Sequence, residues 1–342
     1  MNQISLINGG AISSVTAEDA AKQAAERARN ARAANTVRAY QADWRDFEAA
    51  CAALLIPENP TAETVAIYID QLARRGAKVS TIRRRIASLN TWRRIHKLEP
   101  LSVREEPLAS VLRGIRREIG APPKGARPLE IEELRTVVAA CADTNQGKRD
   151  RALLLLGFAG GFRRSEISGL DWGRGGDGSA YVEFLPEGIR ITLKRSKTNQ
   201  TGELEQVAIC RGAYAATCPV RALEQWRGTL ASPVSGPVFR PINRHGGISD
   251  ARLSPAGVRG VIRDAATRAA ETGGASPTEL ASALDGLSGH SLRAGLVTTA
   301  FAAGLASEDV MRQTRHRDLK TLLGYRRHAT AFIGNVSGKI GL

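Results

Sequence analysis

A tyrosine lies among basic side chains close to the end of the sequence. The stretch TRHRDLKTLLGYRRH, residues 314–328, surrounds Tyr325 with two histidines and five arginine or lysine residues, and His316 precedes the tyrosine by nine positions. A core tyrosine needs one hydrogen-bond partner and apolar neighbours, whereas this segment is rich in basic residues. Its composition suits a phenol that becomes an anion or binds beside one, although a solvated loop would also explain it.

A second basic group follows a pair of glycines. In GGFRRSEISGL, residues 160–170, Arg163 comes after a long apolar segment and a point where glycine permits a sharp turn. Glu166 lies three residues later, so it shares a helical face with Arg163 and could hold it. A plain surface ion pair, worth less than about 1 kcal/mol, is the alternative.

Two further segments carry basic side chains where a helix or a turn could present them. His290 and Arg293 in SGHSLRAG share one face at the predicted start of a helix, where unpaired N–H groups favour an anion. Lys197 lies in a turn within LKRSKTNQTG, from which a flexible ammonium group can reach outward. Taken singly, each residue also fits a helix cap or a solvated side chain.

The charge of the chain narrows the class of partner. Among 342 residues, 49 basic and 34 acidic side chains give a net charge of +15. A chain this basic usually binds a polyanion, with nucleic acid as the first candidate. Basic membrane anchors are local amphipathic segments, whereas this charge is spread along the chain, so we expect no membrane partner.

The apolar runs and the cysteines indicate where the protein works. No apolar run approaches the roughly 20 residues that cross a bilayer, and the N-terminal residues do not match a signal peptide. The four cysteines include no CxxC pair, which favours reduced thiols. We therefore expect a cytoplasmic location and no metal site.

Apolar periodicity predicts a mostly α fold with one small antiparallel sheet. Four successive segments before residue 120 carry apolar residues every three or four positions, which indicates an all-helical domain. The proline-rich segment APPKGARPLE is typical of a linker. Alternating apolar residues between turns over 179–209 predict a short meander among further helices. The predicted divisions are a disordered tail over 1–16, a helical domain over 17–120, a linker over 121–130 and an α+β domain over 131–342.

The motifs also match a known pattern when they are taken together. GGFRRSEISGL, SKTNQTG, GHSLRAG and RHRDLKTLLGY present Arg, Lys, His-x-x-Arg, His and Tyr in one order. This order resembles the tyrosine recombinases, the phage integrase family, and NTVRAYQADWRDFEAAC resembles a DNA-clamping helix of its Cre-like branch. The resemblance covers roughly residues 20–335. It implies an N-terminal SAM-like core-binding domain and a C-terminal catalytic domain.

The resemblance implies a reaction and its partners. Tyr325 would attack the scissile DNA phosphate, leaving a 3′-phosphotyrosyl enzyme and a 5′-hydroxyl that rejoins strands through a Holliday junction. The partners would be double-stranded DNA with a specific recombination site and further copies in a homotetramer, with no cofactor, metal or small-molecule substrate. Such a recombinase or integrase would be associated with the nucleoid and encoded by a bacterium, phage, plasmid or other mobile element.

The other motif residues would serve the charges of that reaction. Arg163 and Arg293 would offer planar forks of donors to the phosphate oxygens, with Glu166 supporting them. His290 would accept the phenol proton. Lys197 would protonate the leaving 5′-oxygen, and His316 would form a hydrogen bond to the phosphate.

DNA contacts are expected on polar faces of the helices that resemble the clamp. For each candidate, a solvated or phosphate-only side chain is an equal alternative, because only base contacts specify sequence. The candidates are Thr36, Arg38, Thr81 and Arg84, with Arg259 from the second domain.

One position departs from the family pattern. Arg315 stands where the family usually has glycine before the second histidine. If the backbone conformation of glycine is required there, His316 would be displaced, which would favour a non-catalytic DNA-binding regulator on the same scaffold. A type IB topoisomerase-like relaxase, using the same tyrosine without paired sites, is the other alternative.

Overall fold

The chain is divided into two units. The computed structural model describes residues 4–5, 14–15, 19, 34–120, 125–194, 204–231, 234–319 and 322–325. The two compact units are Met1–Lys124 and Gly125–Leu342, and each has an apolar core of its own. The first four residues of the predicted linker lie outside the described ranges. Within those ranges, no helix has both the length and the apolar character needed to cross a membrane.

The first unit consists of helices around an apolar core. Phe47, Tyr68 and Leu112 come from three different helices and are buried together, because apolar residues recur at helical spacing. The Thr61 hydroxyl accepts a hydrogen bond from the Thr64 amide at the start of the second helix. These elements confirm the all-helical prediction for this part of the chain. The helices are α1 (Ala34–Leu54), α2 (Ala62–Arg74), α3 (Val79–Ile95) and α4 (Leu108–Ile119).

Part of the N-terminal segment is paired. Ile4–Ser5 (β1) and Ser14–Val15 (β2) form a two-residue antiparallel ladder with Ile4 opposite Val15. The sequence predicts disorder over residues 1–16, whereas these β-branched residues favour an extended backbone that can pair. The rest of that tail, and all of residues 17–33 except Asp19, lie outside the described ranges.

A helix whose second half is apolar on all sides lies in the core of the second unit. Residues 152–156 of this helix are all buried, which explains the unbroken run ALLLL. Trp226 is buried beside it and donates a hydrogen bond from Nε1 to the Val238 carbonyl at 2.7 Å. The helices of this unit are α5 (Ile131–Ala139), α6 (Asn145–Ala159), α7 (Arg164–Ser168), α8 (Pro219–Arg227), α9 (Pro255–Thr272), α10 (Pro277–Leu284), α11 (Ser291–Ala302) and α12 (Ser307–Thr314).

The second unit also contains a four-stranded sheet. Its strands are β3 (Leu170–Trp172), β4 (Ala180–Leu185), β5 (Gly188–Leu193) and β6 (Glu205–Cys210), in the order β3-β4-β5-β6. Strands β4, β5 and β6 pair antiparallel, with Ile191 opposite both Val182 and Val207. The predicted meander is therefore confirmed.

The sheet is mixed rather than purely antiparallel. Strand β3 runs parallel to β4, a pairing that the sequence does not predict because three residues are too short to show alternation. Buried Asp171 within β3 accepts hydrogen bonds from the Gly178 amide at 2.6 Å and from Arg252 at 2.7 Å. These bonds fix the connection that returns the chain to β4.

Gly295→Ala is expected to lower the free energy of unfolding of the second unit by about 1–3 kcal/mol. Gly295 lies in α11, and a Cβ atom there would lie 1.8 Å from the Leu129 carbonyl oxygen. The helix and the preceding segment would have to separate. Urea unfolding followed by circular dichroism measures the change.

Gly260→Ala in α9 is the matched control. A Cβ atom there would lie 4.0 Å from an Asp264 carboxylate oxygen and meet nothing nearer. Replacing this helical glycine should therefore stabilise the unit by about 0.5–1 kcal/mol. Equal effects of the two substitutions would contradict the close approach of α11 to Leu129.

Candidate active site

The end of α6 determines where Arg163 lies. Gly161 has a φ of +54°, a left-handed conformation that favours glycine, and a Cβ atom there would come within 2.9 Å of the Thr314 side chain. Phe162 then packs into the core, and Arg163 becomes the N-terminal cap residue of α7. The glycine pair thus turns the chain sharply between a buried helix and a basic residue.

Glu166 holds Arg163 by both its backbone and its side chain. One carboxylate oxygen of Glu166, Oε2, accepts the Arg163 backbone N–H at 2.9 Å, and the other, Oε1, accepts Arg163 Nη1 at 2.8 Å. The side chain of Glu166 is only 3% exposed. The pair is therefore buried, which excludes the alternative of a plain surface ion pair.

Arg293 comes from the first turn of α11 and is also buried. Its Nη1 donates to the Gly161 carbonyl at 2.7 Å, which connects α11 to the turn after α6. Among the described residues, no group accepts a hydrogen bond from its Nη2. Burial, together with the nearby cations Arg163 and Arg315, lowers the pKa of Arg293 to about 10. A buried donor without an acceptor is costly, so this group is positioned for an external anion.

Arg315 ends α12 in the conformation that glycine would adopt. Its φ and ψ are 57° and 43°, in the left-handed region, and its amide donates to the Met311 carbonyl as in a common helix termination. The next amide, that of His316, donates to the same carbonyl at 3.2 Å. Because arginine reaches this conformation, the reason for expecting a displaced His316 is removed.

The environment of His316 fixes its tautomer and its charge. The Thr314 hydroxyl donates its single proton to the Val310 carbonyl at 2.6 Å, so it can only accept from His316 Nδ1, which lies 2.6 Å away. The neutral imidazole therefore carries its proton on Nδ1. Burial, and then the cations Arg293, Arg163 and Arg315, lower the pKa of His316 to about 4.

Tyr325 lies within reach of this group of residues. It belongs to the short helical stretch 322–325, is half-buried, and packs against an apolar cluster that includes Phe301 and Val310. Its ring centroid is 6.5 Å from that of His316. Tyr325 is close enough to Arg293 for a phenolate there to raise the pKa of the guanidinium. The structure thus brings together Arg163, Glu166, Arg293, His316 and Tyr325.

His290 and Lys197 are the two remaining predicted catalytic residues. His290 is exposed and is the N-terminal cap residue of α11, with its carbonyl accepting the Ala294 amide at 2.9 Å. The helix therefore begins where the sequence predicts. Lys197 lies outside the described residues.

The predicted DNA-contact residues are distributed over both units. Arg38, Arg84 and Arg259 are exposed, whereas Thr36 and Thr81 are half-buried. Arg84 is paired with the buried carboxylate of Asp43, so this arginine is held in place from beneath. Its guanidinium side chain nevertheless remains 44% exposed.

Sequence reasoning missed the supporting residues around His316. Thr314 sets the tautomer, and the guanidinium of Arg315 donates to Glu166 at 2.7 Å. The sequence signal for Arg315 was its departure from glycine, which indicates a change without revealing the partner. Thr314 carried no signal of its own.

His316→Asn should flatten the dependence of stability on acid pH. The pKa of His316 in the folded protein lies below its ordinary value of 6.5, so the unfolded chain takes up this proton first as pH falls. Stability linked to neutral His316 is therefore complete above pH 6.5 and is lost on approaching about pH 4. Thermal unfolding at intervals between pH 7 and pH 4 measures the difference between wild type and variant. Parallel curves would contradict the depressed pKa.

Solved structures share this fold. The chain superposes with a TM-score of 0.57 on a lambda integrase dimer bound to a COC′ core site, at 12% identity over 90% of this chain and 75% of that one. It superposes equally well on the Tn1549 transposon integrase in complex with transposon right end DNA, at 14% identity over 94% and 96% of the two chains. At these identities the likeness is one of fold.

Sequence comparison identifies the family as well as the fold. Residues 26–95 match the family described as phage integrase, N-terminal SAM-like domain. A tyrosine recombinase XerC of Xylella fastidiosa is 32% identical over 126 residues, which are 37% of this chain and 36% of that protein. An integrase/recombinase xerD homolog of Selenomonas ruminantium is 33% identical over 326 residues, covering 93% of this chain and 89% of that protein. With similarity over nearly the whole of both proteins, this chain belongs to the tyrosine recombinase family, also called the phage integrases.

Proposed function

We propose that this recombinase cuts and rejoins DNA strands at a specific site through a covalent bond between Tyr325 and a 3′-phosphate. The observation that carries the proposal is the Nη2 of Arg293, a buried cationic donor that is close to a phenol and has no acceptor among the described residues. An anion that accepts this bond would lie beside the nucleophile. A DNA phosphate has the charge and the oxygens to do so.

The charges around the site support an anionic substrate. Arg163, Arg293, Arg315 and Arg317 supply four cations, whereas Glu166 and Glu205 supply two carboxylates near them. Among these six side chains the positive charges exceed the negative ones by two. A phosphodiester brings one negative charge, and its pentacoordinate transition state adds another, so the attraction increases as the reaction proceeds.

The proposed cleavage step conserves the phosphodiester energy. The Tyr325 oxygen attacks the phosphorus, the bond to the 5′-oxygen breaks, and a 3′-phosphotyrosyl linkage forms. His290 accepts the phenol proton and Lys197 protonates the departing 5′-oxygen. The 5′-hydroxyl of a partner duplex then attacks the phosphotyrosine in the reverse reaction, which releases the tyrosine.

His316 has a proposed role that depends on substrate binding. In the absence of an anion its low pKa keeps it neutral, with the proton on Nδ1. A bound phosphate places negative charge against the three arginines and raises that pKa. The imidazole can then gain a proton on Nε2 and donate it in a hydrogen bond to a phosphate oxygen.

The helical unit would also contact the DNA. One fold neighbour is named as bound to a COC′ core site and the other as in complex with transposon right end DNA, and the net charge of +15 favours DNA as the partner here. We assign groove or phosphate contacts to Thr36, Arg38, Thr81 and Arg84, and a further contact to Arg259. Two rounds of exchange by a homotetramer on two sites would pass through a Holliday junction.

Tyr325→Phe should abolish the covalent adduct and leave DNA binding intact, because only the attacking oxygen is removed. The substrate is a nicked duplex carrying the recombination site, chosen from the DNA that flanks the gene, so that a short fragment leaves after cleavage and the adduct accumulates. A denaturing gel detects the adduct. Tyr214→Phe is the control, since Tyr214 is 72% exposed and should cleave as wild type does.

Other outcomes would identify the alternatives. Specific binding without an adduct from the wild type would contradict the proposed chemistry and favour a non-catalytic regulator. Relaxation of a supercoiled plasmid that contains a single site, with no exchange between two sites, would favour a topoisomerase-like relaxase.

Arg293→Lys should reduce the single-turnover cleavage rate by about 10²–10³-fold. Lysine keeps the charge but loses the fork that binds the Gly161 carbonyl with one arm and the phosphate with the other. Arg268→Lys is the control, because Arg268 forms an ion pair with Asp150 and has no proposed contact with the phosphate. Similar rates for Arg293→Lys and wild type would contradict the assignment of Nη2 to the phosphate.

A further inference from the structure

The side chain of Arg315 turns back into the catalytic unit. Its Nη2 donates to Glu166 Oε2 at 2.7 Å, and the centre of the guanidinium lies 5.0 Å from the centroid of the Phe162 ring. The side chain is only 7% exposed. A basic residue at the end of an exposed helix would normally extend into water, so this burial indicates a specific position.

The backbone at this residue is unfavourable for any side chain. The left-handed conformation of Arg315 favours glycine because it brings a Cβ atom close to the following carbonyl. Glycine would therefore satisfy the helix end more easily than arginine does. What arginine adds at this position is the guanidinium and its contacts.

Those contacts converge on the carboxylate that holds Arg163. Glu166 Oε1 accepts from Arg163, and Oε2 accepts from both the Arg163 backbone and Arg315. With cations on both oxygens, the carboxylate cannot rotate without losing one of two charge-assisted bonds. Arg315 consequently fixes the orientation of Arg163 by holding the Glu166 carboxylate that binds it.

We propose that Arg315 is a positioning residue for DNA cleavage: through Glu166 it holds Arg163 in the orientation that receives the scissile phosphate. This inference rests on the proposed function of the site. Arg315 contacts Glu166 rather than the reacting atoms, so it acts through its neighbour. Arginine in place of the family's usual glycine therefore adds a contact that supports Arg163.

Arg317 provides a matched comparison within the same segment. Both arginines lie near Glu205, with Arg315 Nε at 3.9 Å and Arg317 Nη2 at 3.7 Å from its carboxylate oxygens. Arg317 is 59% exposed, and its ion pair is with Glu205, not Glu166. A substitution there removes a neighbouring charge of the same sign without touching the carboxylate that holds Arg163.

Arg315→Met should slow single-turnover cleavage of the nicked duplex by on the order of 10²-fold. Methionine keeps an unbranched stem and loses the guanidinium. The dissociation constant for the same duplex should change much less than the cleavage rate, because the other DNA contacts remain. Arg317→Met should match wild type in both quantities. Equal slowing in the two variants would overturn the proposal.

Arg315→Gly separates positioning from folding. It relieves the left-handed backbone and should melt no lower than Arg315→Met, yet it should cleave as slowly because the guanidinium is absent. Wild-type cleavage by Arg315→Gly would overturn the proposal. In a Glu166→Gln background, Arg315→Met should add little further slowing, since both act on Arg163; additive losses would show that Arg315 does not act through Glu166.

A measurement that does not depend on DNA cleavage tests the positioning role of Arg315 separately from the proposed function. The ¹⁵N relaxation of the Arg163 Nε–H group should report an ordered side chain in wild type and a more mobile one in Arg315→Met. If wild type forms no adduct, the proposed function fails while this readout still decides whether Arg315 orders Arg163. Unchanged relaxation in the variant would overturn the positioning role.

Discussion

The catalytic unit depends on one carboxylate, that of Glu166, being shared between two arginines. Arg163 and Arg315 would repel one another if they were buried side by side, and a buried charge is tolerated only when it is paired. Glu166 removes this conflict by offering a separate oxygen to each. It can do so because it lies in the first turn of α7, where its side chain also accepts the Arg163 backbone N–H. That backbone bond holds the carboxylate independently of the two guanidinium groups.

The third cation, Arg293, has no such carboxylate among the described residues, so it is the cation that an external anion could pair with. Arg293 is held by a neutral carbonyl, that of Gly161, and its other arm is unpaired among the described residues. The Gly161 carbonyl faces Arg293 because Gly161 adopts a left-handed turn, and a Cβ atom there would come within 2.9 Å of the Thr314 side chain. The same turn presents Arg163. One glycine therefore orients a donor from α11 and a donor from α7 with respect to each other.

Sequence reasoning found the local features of this arrangement and missed the distant ones. The helices, the meander, the Arg163–Glu166 pair and the helix that begins at His290 follow from periodicities and spacings of a few residues. Strand β3 is too short for its pattern to register. The bond between Arg315 and Glu166 joins residues 149 positions apart, and no local pattern encodes such a contact. The departure from glycine could be seen in the sequence, but its meaning required the position of the side chain.

The charges of the site also link substrate binding to protonation. Three arginines near the proposed phosphate site, Arg163, Arg293 and Arg315, also lower the pKa of His316. A phosphate that neutralises them must raise that pKa, and by reciprocity a protonated His316 must bind the phosphate more tightly. The low pKa keeps His316 neutral in the absence of an anion, which limits repulsion among the cations; in the proposed mechanism it would become a donor once an anion is bound. A phenolate formed at Tyr325 would also raise the pKa of His316. Phosphate binding and formation of the nucleophile would therefore both favour the protonated imidazole.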